Sequence, residues 1–380
     1  MVRSTVHPPT PSESGLQCQP VAMIHLHCTS ALLNHAHAKL LGVEVPSCDE
    51  SRRMSQIVGK LQALHENFRE PLVQQVTGSC RSVVFLNSES EPLVNEFAEL
   101  PFARSLITRA VEEAGIYVRN GIQVMEVENV VAPYFIGAGS CPWEELVLLL
   151  LAARAVRRAH PQVCLGVHIL SCNELEVLPI AIDVGAYFVR SEATLFEGVR
   201  PEGRTKNDSN LARFMYLRRV LRQVCCGPET DIASADHELS YPQIWSDIQK
   251  KHTVWPTELL DDQVWLQNIP FVKLEGIIVT GPETGSNVKE ETVARSRAAV
   301  DKVKAFVRST VMASSRGESS EPPLPLITGS GGDFEMYCRY ADFMIVGTAF
   351  KRGAYWENPV DEANVKTVVE RIKNAQLAQK

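Results

Sequence analysis

The chain has 380 residues, 45% of them hydrophobic and 22% charged, which supports a sizeable core and excludes wholesale disorder, a collagen repeat or a disulfide mini-scaffold. Its 38 basic residues against 45 acidic ones give a net charge of −7, without the basic excess of a nucleic-acid binder. The ten cysteines show no paired CxxC spacing and read as reduced thiols.

Residues 1–20 are rich in Ser, Thr and Pro and lack an apolar h-region, so they are expected to be a disordered N-terminal segment rather than a secretory signal. A cytoplasmic location follows, with the mitochondrial matrix left open. From Val21 to Cys28 the chain reads as a first strand. Residues 29–99 form a long insertion with a helix-like piece, Met54 to Phe68, and a strand-like piece, Ser82 to Leu86. From Asn120 onward, strand-like runs alternate with amphipathic stretches: Ile122 to Glu128, Val163 to Leu170, Ala186 to Arg190, Gln243 to Ile248, Leu274 to Thr280, Pro325 to Thr328 and Phe343 to Val346. Several are nearly continuous apolar runs, as in parallel strands buried on both faces.

Helices are predicted between them. Trp143 to His160 follows a proline at its start, and its apolar run Leu146 to Ala153 is too short for a membrane span. Val293, Val300, Val303 and Val307 share one face, as do Val365, Val368, Val369 and Ile372. Residues 225–240 and 313–323 are polar and Gly/Ser/Pro/Asp-rich and read as surface loops. Eight strands alternating with helices predict an α/β fold, a single (β/α)8 TIM barrel spanning residues 21–380 with its insertion after strand one. An open doubly wound sheet would want a Gly-rich turn after its first strand, and Thr29-Ser30-Ala31 is not one.

In such a barrel the active site lies at the C-terminal strand ends. There the sequence places His25, Glu128, Asn129, Asn173, Arg190, Asp247, Lys251, His252 and Thr280. Lys251 and His252 are candidates for proton transfer or charge stabilisation, with Asp247 and Glu128 as candidate catalytic carboxylates. His25, Asn129, Asn173, Arg190 and Thr280 are candidates for binding substrate. The loops after strands seven and eight are rich in small residues, so backbone amides of Gly329, Ser330, Gly331, Gly347 and Thr348 are candidate phosphate ligands. His25 and His27 lie two apart and would share one strand face, a spacing that suits a metal, but no further ligands of matching spacing accompany them. No cofactor or metal is assigned, and a divalent ion stays open.

At these motifs the sequence resembles the BtpA/SgcQ family. The resemblance rests on Met23-Ile-His-Leu26, Val127-Glu-Asn129, Gly166-Val-His-Ile-Leu170 with Asn173, Phe188-Val-Arg190 and Ser246-Asp-Ile-Gln-Lys-Lys-His252. It continues through Ile277-Ile-Val-Thr-Gly281, Gly329-Ser-Gly331 and Val346-Gly-Thr-Ala-Phe-Lys351. It implies a phosphate-binding-type TIM barrel, but no firm catalytic mechanism. The namesake is tied to photosystem I biogenesis, and bacterial relatives sit beside sugar-utilisation genes. Two family aspartates are missing, one before Pro133-Tyr134, where Val130-Val131-Ala132 stands, and one replaced in Pro201-Glu202-Gly203.

Two readings follow. In the first, the chain binds a small phosphorylated molecule, a phosphosugar or nucleoside-like compound, as an enzyme of unknown reaction. In the second, it is a non-catalytic assembly factor or inactive family member that uses the barrel and insertion as a protein-binding surface. Neither involves nucleic acid or a membrane span, and both leave a homo-oligomer open.

Overall fold

The computed structural model describes residues 18–26, 38–39, 41–67, 88–130, 141–170, 174–192, 194–201, 203–204, 211–226, 242–259, 261–272, 274–283, 285–314, 324–329 and 331–379. Its centre is a closed barrel of eight parallel strands. They are β1 (Gln19–Leu26), β2 (Val124–Asn129), β3 (Cys164–His168), β4 (Phe188–Ser191), β5 (Gln243–Ile248), β6 (Gly276–Thr280), β7 (Leu326–Gly329) and β8 (Phe343–Val346). Each pairs with the next in sequence, and β8 closes onto β1 through Gln19 opposite Phe343. The predicted barrel is therefore the observed one. β5 and β8 have the bounds read from the sequence, while β1 starts two residues earlier, and the expected end of that strand, residues 27–28, lies outside the described residues.

Helices pack around the strands: α1 (Cys48–Asn67), α2 (Glu91–Ala98), α3 (Pro101–Arg119), α4 (Trp143–Ala159), α5 (Glu174–Asp183), α6 (Leu211–Cys226), α7 (Asp262–Val272), α8 (Glu290–Ser314), α9 (Phe334–Tyr340) and α10 (Glu362–Leu377). The apolar run of α4 is buried from Leu146 to Ala153. Among the described residues no helix is long and apolar enough to cross a membrane. Two of the helices, α1 and α2, come from the insertion and are fastened to the barrel's own α3 and α4. Glu50 Oε1 accepts the Phe102 amide at the start of α3 (2.6 Å), and Glu91 pairs with Arg154 on α4 (2.9 Å). The expected loops 225–240 and 313–323 begin inside helices, with residues 225–226 ending α6 and 313–314 ending α8; their remainders, the strand-like piece Ser82 to Leu86 and most of residues 1–20 lie outside the described residues.

Side chains alternate in and out of the barrel, as strands require. The lower interior is filled by one apolar cluster that includes Val21, Met23, Phe188, Trp245, Ile278 and Phe343. At its centre Phe188 stacks on Trp245 with ring centroids 3.9 Å apart. Two inward-facing glycines make room for these rings. A Cβ on Gly166 would fall 2.1 Å from the Phe188 ring, and one on Gly276 would fall 2.3 Å from Trp245 Cδ1. Both rings are wholly buried and locked by their stacking, so neither can yield cheaply. Gly166→Ala is expected to destabilise the protein by about 1–3 kcal/mol, read as a lower urea midpoint with an unchanged slope. Wild-type stability in that variant would show that the ring stack has slack.

Candidate active site at the barrel mouth

Above the aromatic layer the inward positions change character. Successive inward residues are Met23 then His25 on β1, Val124 then Glu126 and Glu128 on β2, and Cys164, Gly166 and His168 on β3. They are Phe188 and Arg190 on β4, followed by Glu192, and Gln243, Trp245 and Asp247 on β5. The strands β6, β7 and β8 instead present Thr280, Gly329 and Gly347. Among the described residues the strand ends are thus charged on the β1–β5 side and carry little side chain on the β6–β8 side.

The charged side is buried and paired. Arg190 holds Asp247 through two hydrogen bonds of 2.9 and 3.1 Å. Glu192 is bound by Lys250 and by Arg200 at 2.9 Å. Arg200 reaches it from a short hairpin, Val199–Arg200 against Gly203–Arg204, which the sequence reading did not foresee. Glu128 lies between two imidazoles, with Oε1 3.1 Å from His25 Nε2 and Oε2 2.9 Å from His168 Nδ1. Burial would raise the pKa of Glu128 and of Glu192, but the hydrogen-bonding imidazoles of His168 and His25 beside Glu128, and Lys250, His168 and Arg200 beside Glu192, prevail and hold both well below the usual range. For His168 burial acts downward, and the three carboxylates around it, Glu126, Glu128 and Glu192, prevail and raise it well above its ordinary value.

The loop after β5 brings two lysines to this cluster. Gln249 (φ 51°) and His252 (φ 58°) are both left-handed non-glycine residues, a costly arrangement that brackets Lys250 and Lys251. Lys250 is buried against Glu192. Lys251 is partly buried, and its pKa is pushed down to about 8 by desolvation, then by Arg190 and Lys250, with Glu128 and Asp247 opposing.

The sequence candidates separate against this geometry. His25, Glu128, Arg190, Asp247, Lys251 and Thr280 belong to the mouth, and Thr280 Oγ1 is buried there without a hydrogen-bond partner among the described residues. Two candidates are placed apart from the buried cluster. Asn129 faces outward, as its odd position on β2 requires; its amide donates to Glu145 (2.8 Å) and its carbonyl accepts from the Leu170 amide (2.9 Å), so it ties β2 to α4 and to the end of β3. His252 is exposed and occupies the strained turn, and the imidazole that accompanies His25 is His168. Asn173, Ser330 and His27 lie outside the described residues. Gly331 is left-handed (φ 89°) and packs on Asn287, whose Oδ1 accepts the amides of Gly332 (2.8 Å) and Asp333 (3.2 Å). The Gly347 backbone lies beside His25: a Cβ there would stand 3.4 Å from His25 Nε2. Glu126 and His168 lie within the predicted strands Ile122 to Glu128 and Val163 to Leu170 and escape a reading of the strand ends, although period-two alternation through Glu126, Glu128 and their β3 neighbour His168 was available to find them.

The fold and site define a (β/α)8 barrel with a buried charge cluster at its C-terminal mouth. The sequence profile of the BtpA family matches residues 92–374, and the chain belongs to that family. It is 24% identical over 274 residues to an uncharacterised mitochondrial protein of Caenorhabditis elegans, covering 70% of this chain and 84% of that one. It is 25% identical over 273 residues to an uncharacterised protein of Archaeoglobus fulgidus, covering 71% and 90%. Among solved structures it is similar to a phospho-2-dehydro-3-deoxyheptonate aldolase of Thermotoga maritima, with a TM-score of 0.38 and 13% identity over 72% of this chain and 66% of that one. A mandelate racemase/muconate lactonizing enzyme from Roseiflexus sp. gives a TM-score of 0.34 and 11% identity over 73% and 75%. Neither structural similarity bears on the chemistry.

Lys251 yields a prediction of known sign. Below about pH 8 the folded state carries a charged, partly desolvated amine. Between that value and the ordinary lysine range the folded state has released the proton and the unfolded state still holds it, so stability rises with pH across the window. Lys251→Met is expected to raise Tm most below pH 8, and amine acylation at Lys251, followed by peptide mass spectrometry, should show a midpoint near 8. A midpoint in the ordinary lysine range would contradict this environment.

Proposed function

We propose that this BtpA-family barrel binds a small phosphorylated molecule, a phosphosugar or nucleoside-like compound, at its mouth and moves a proton on it. The observation that carries the reading is the division of the mouth. Polar groups that could handle protons crowd the β1–β5 side, and the β6–β8 side presents bare backbone at Gly329 and Gly347, where a Cβ would stand 3.2 Å from Thr280 Cγ2 and 3.3 Å from Met23 Cγ, respectively.

Phosphate would lie against Gly329, Gly347 and Thr348, where the two glycines lack side chains and let backbone amides approach an anion. Asn287 already engages the amides just after Gly331, so the β8 loop carries more of the contact. Lys251 supplies positive charge at neutral pH, and its pKa of about 8 lets it give up and regain a proton near working conditions. Arg190 and Asp247 bind each other, which fixes the floor on which the rest of the ligand would sit. The alternative of an assembly factor drew on the insertion. Its described helices are fastened to α3 and α4 through Glu50 and Glu91, and nothing in the described part favours that reading over a site at the mouth.

The test is thermal shift and calorimetric titration of the full chain with inorganic phosphate, phosphosugars and nucleotides. A ligand at a hundredfold excess over its Kd adds about 2.7 kcal/mol to stability, which moves Tm measurably. At least one phosphorylated compound is expected to do so. Lys251→Met and Gly347→Ala, the latter placing a methyl against His25, are each expected to weaken its binding by about tenfold or more, equivalent to about 1.4 kcal/mol. No shift with any of the compounds at millimolar concentration would overturn the proposal.

A further inference from the structure

We infer that Glu126, Glu128 and His168 bind one divalent first-row metal ion, of the Mn2+ or Zn2+ kind, just below the barrel mouth. Each offers one ligand atom, and the three atoms lie within 4.8 Å of one another. His168 Nδ1 is 2.9 Å from Glu128 Oε2 and 3.4 Å from Glu126 Oε1. Ligand atoms around a tetrahedral ion at about 2.1 Å stand about 3.4 Å apart, so small side-chain adjustments complete the site. The residues face one another across two paired strands, with Glu128 in register with His168.

Glu126 supplies an independent observation. It is wholly buried, and neither carboxylate oxygen makes a hydrogen bond among the described residues. His168 Nδ1 at 3.4 Å and Arg190 Nη1 at 3.8 Å face its Oε1 without making one. A buried carboxylate left this way costs far more than a paired one. Coordination of a cation satisfies it directly.

The surrounding charges lead to the same place. Asp247 is matched by Arg190, and Glu192 by Lys250 and Arg200. Glu126 and Glu128 are the two acids of the cluster with no Lys or Arg hydrogen-bonded to them, Arg190 Nη1 standing 3.8 Å from Glu126 Oε1 while it holds Asp247, and one divalent ion balances both. His168 then binds through Nδ1 while its Nε2, 3.5 Å from Glu192 Oε1, is placed to donate its proton to that carboxylate. A metal-bound histidine is commonly oriented by a carboxylate in this way. Two carboxylate oxygens and one imidazole, without thiolate, suit Mn2+ or Zn2+ better than soft ions, and the imidazole disfavours Ca2+ and Mg2+. The inference deepens the proposed function, because an ion here would lie beside the phosphate position at Gly347. It rests on that reading only for the ion's role, not for its binding.

The experiment uses the full chain, stripped with EDTA, dialysed against MnCl2 or ZnCl2, and analysed for metal by mass spectrometry. One ion per chain is expected, and pulsed EPR of the Mn2+ form should show 14N coupling from an imidazole. Glu126→Gln and His168→Gln should lose the ion while keeping a folded circular-dichroism spectrum. Glu192→Gln, a change at the positioning residue, should weaken retention by about 10- to 100-fold, as should no isosteric change on the barrel's outer face, such as Glu275→Gln. If neither metal is retained at millimolar concentration, if wild-type Mn2+ shows no 14N coupling, or if the folded variants bind as the wild type does, the inference is overturned. The wild-type measurements decide even where a variant does not fold. Titration of the metal-free protein with inorganic phosphate is read separately, so failure of metal binding and failure of anion binding are distinguishable.

Discussion

Four carboxylates, Glu126, Glu128, Glu192 and Asp247, sit inside the upper barrel with at most 7% of their surface exposed. Burying a charge costs several kcal/mol unless it is matched, so much of the structure around the mouth is arranged to match these. Arg190 is placed on the strand beside Asp247, at the next inward position above Phe188. The hairpin after β4 exists in a form that carries Arg200 to Glu192. The β5 loop accepts two left-handed residues and so delivers Lys250 to the same carboxylate. Such a cluster is a poor way to stabilise a barrel, since well-packed apolar side chains would serve that end as well or better. Its presence argues for chemistry at the mouth.

The aromatic floor is the counterpart of the charged mouth. Phe188, Trp245 and their neighbours seal the lower barrel, and Gly166 and Gly276 give up side chains to admit them. With water excluded from below, charges above the floor act on one another through a low effective dielectric, where ion pairs are strong and pKa values move. Lys251 shows the effect at the rim, and Lys351 shows it behind the wall. Lys351 is fully buried, 3.6 Å from Glu113, and its pKa is lowered by desolvation against the pull of that carboxylate.

Much of the fold was legible because burial writes strands as short apolar runs. Gln243–Ile248 and Phe343–Val346 have the bounds that their composition suggested, and the alternation of strand with helix left a closed barrel as the natural architecture. The site was legible only in part. Position at a strand end points to His252 and Asn129, whereas the strand pleat selects inward positions. Asn129, one residue past Glu128, therefore faces α4. Glu126 was hidden within a strand-like run and His168 within another, each reading locally as an exception to an apolar pattern. A glutamate and a histidine at inward positions of adjacent buried strands are better read as the centre of a site. The hairpin that carries Arg200 has only Pro201 and Gly203 as a local signal, and its two-residue strands are accompanied by a bridge between Val199 and Val254, distant in sequence.

The central claim is that the charged half and the glycine half of the mouth form one site for a phosphorylated ligand. The most direct test is a crystal structure of the full chain grown with inorganic phosphate. The account predicts phosphate density against the backbone amides of Gly347 and Thr348, with Lys251 Nζ turned toward it and the Arg190–Asp247 pair undisturbed. Phosphate bound only on the outer surface of the barrel, with the mouth filled by ordered water alone, would contradict it.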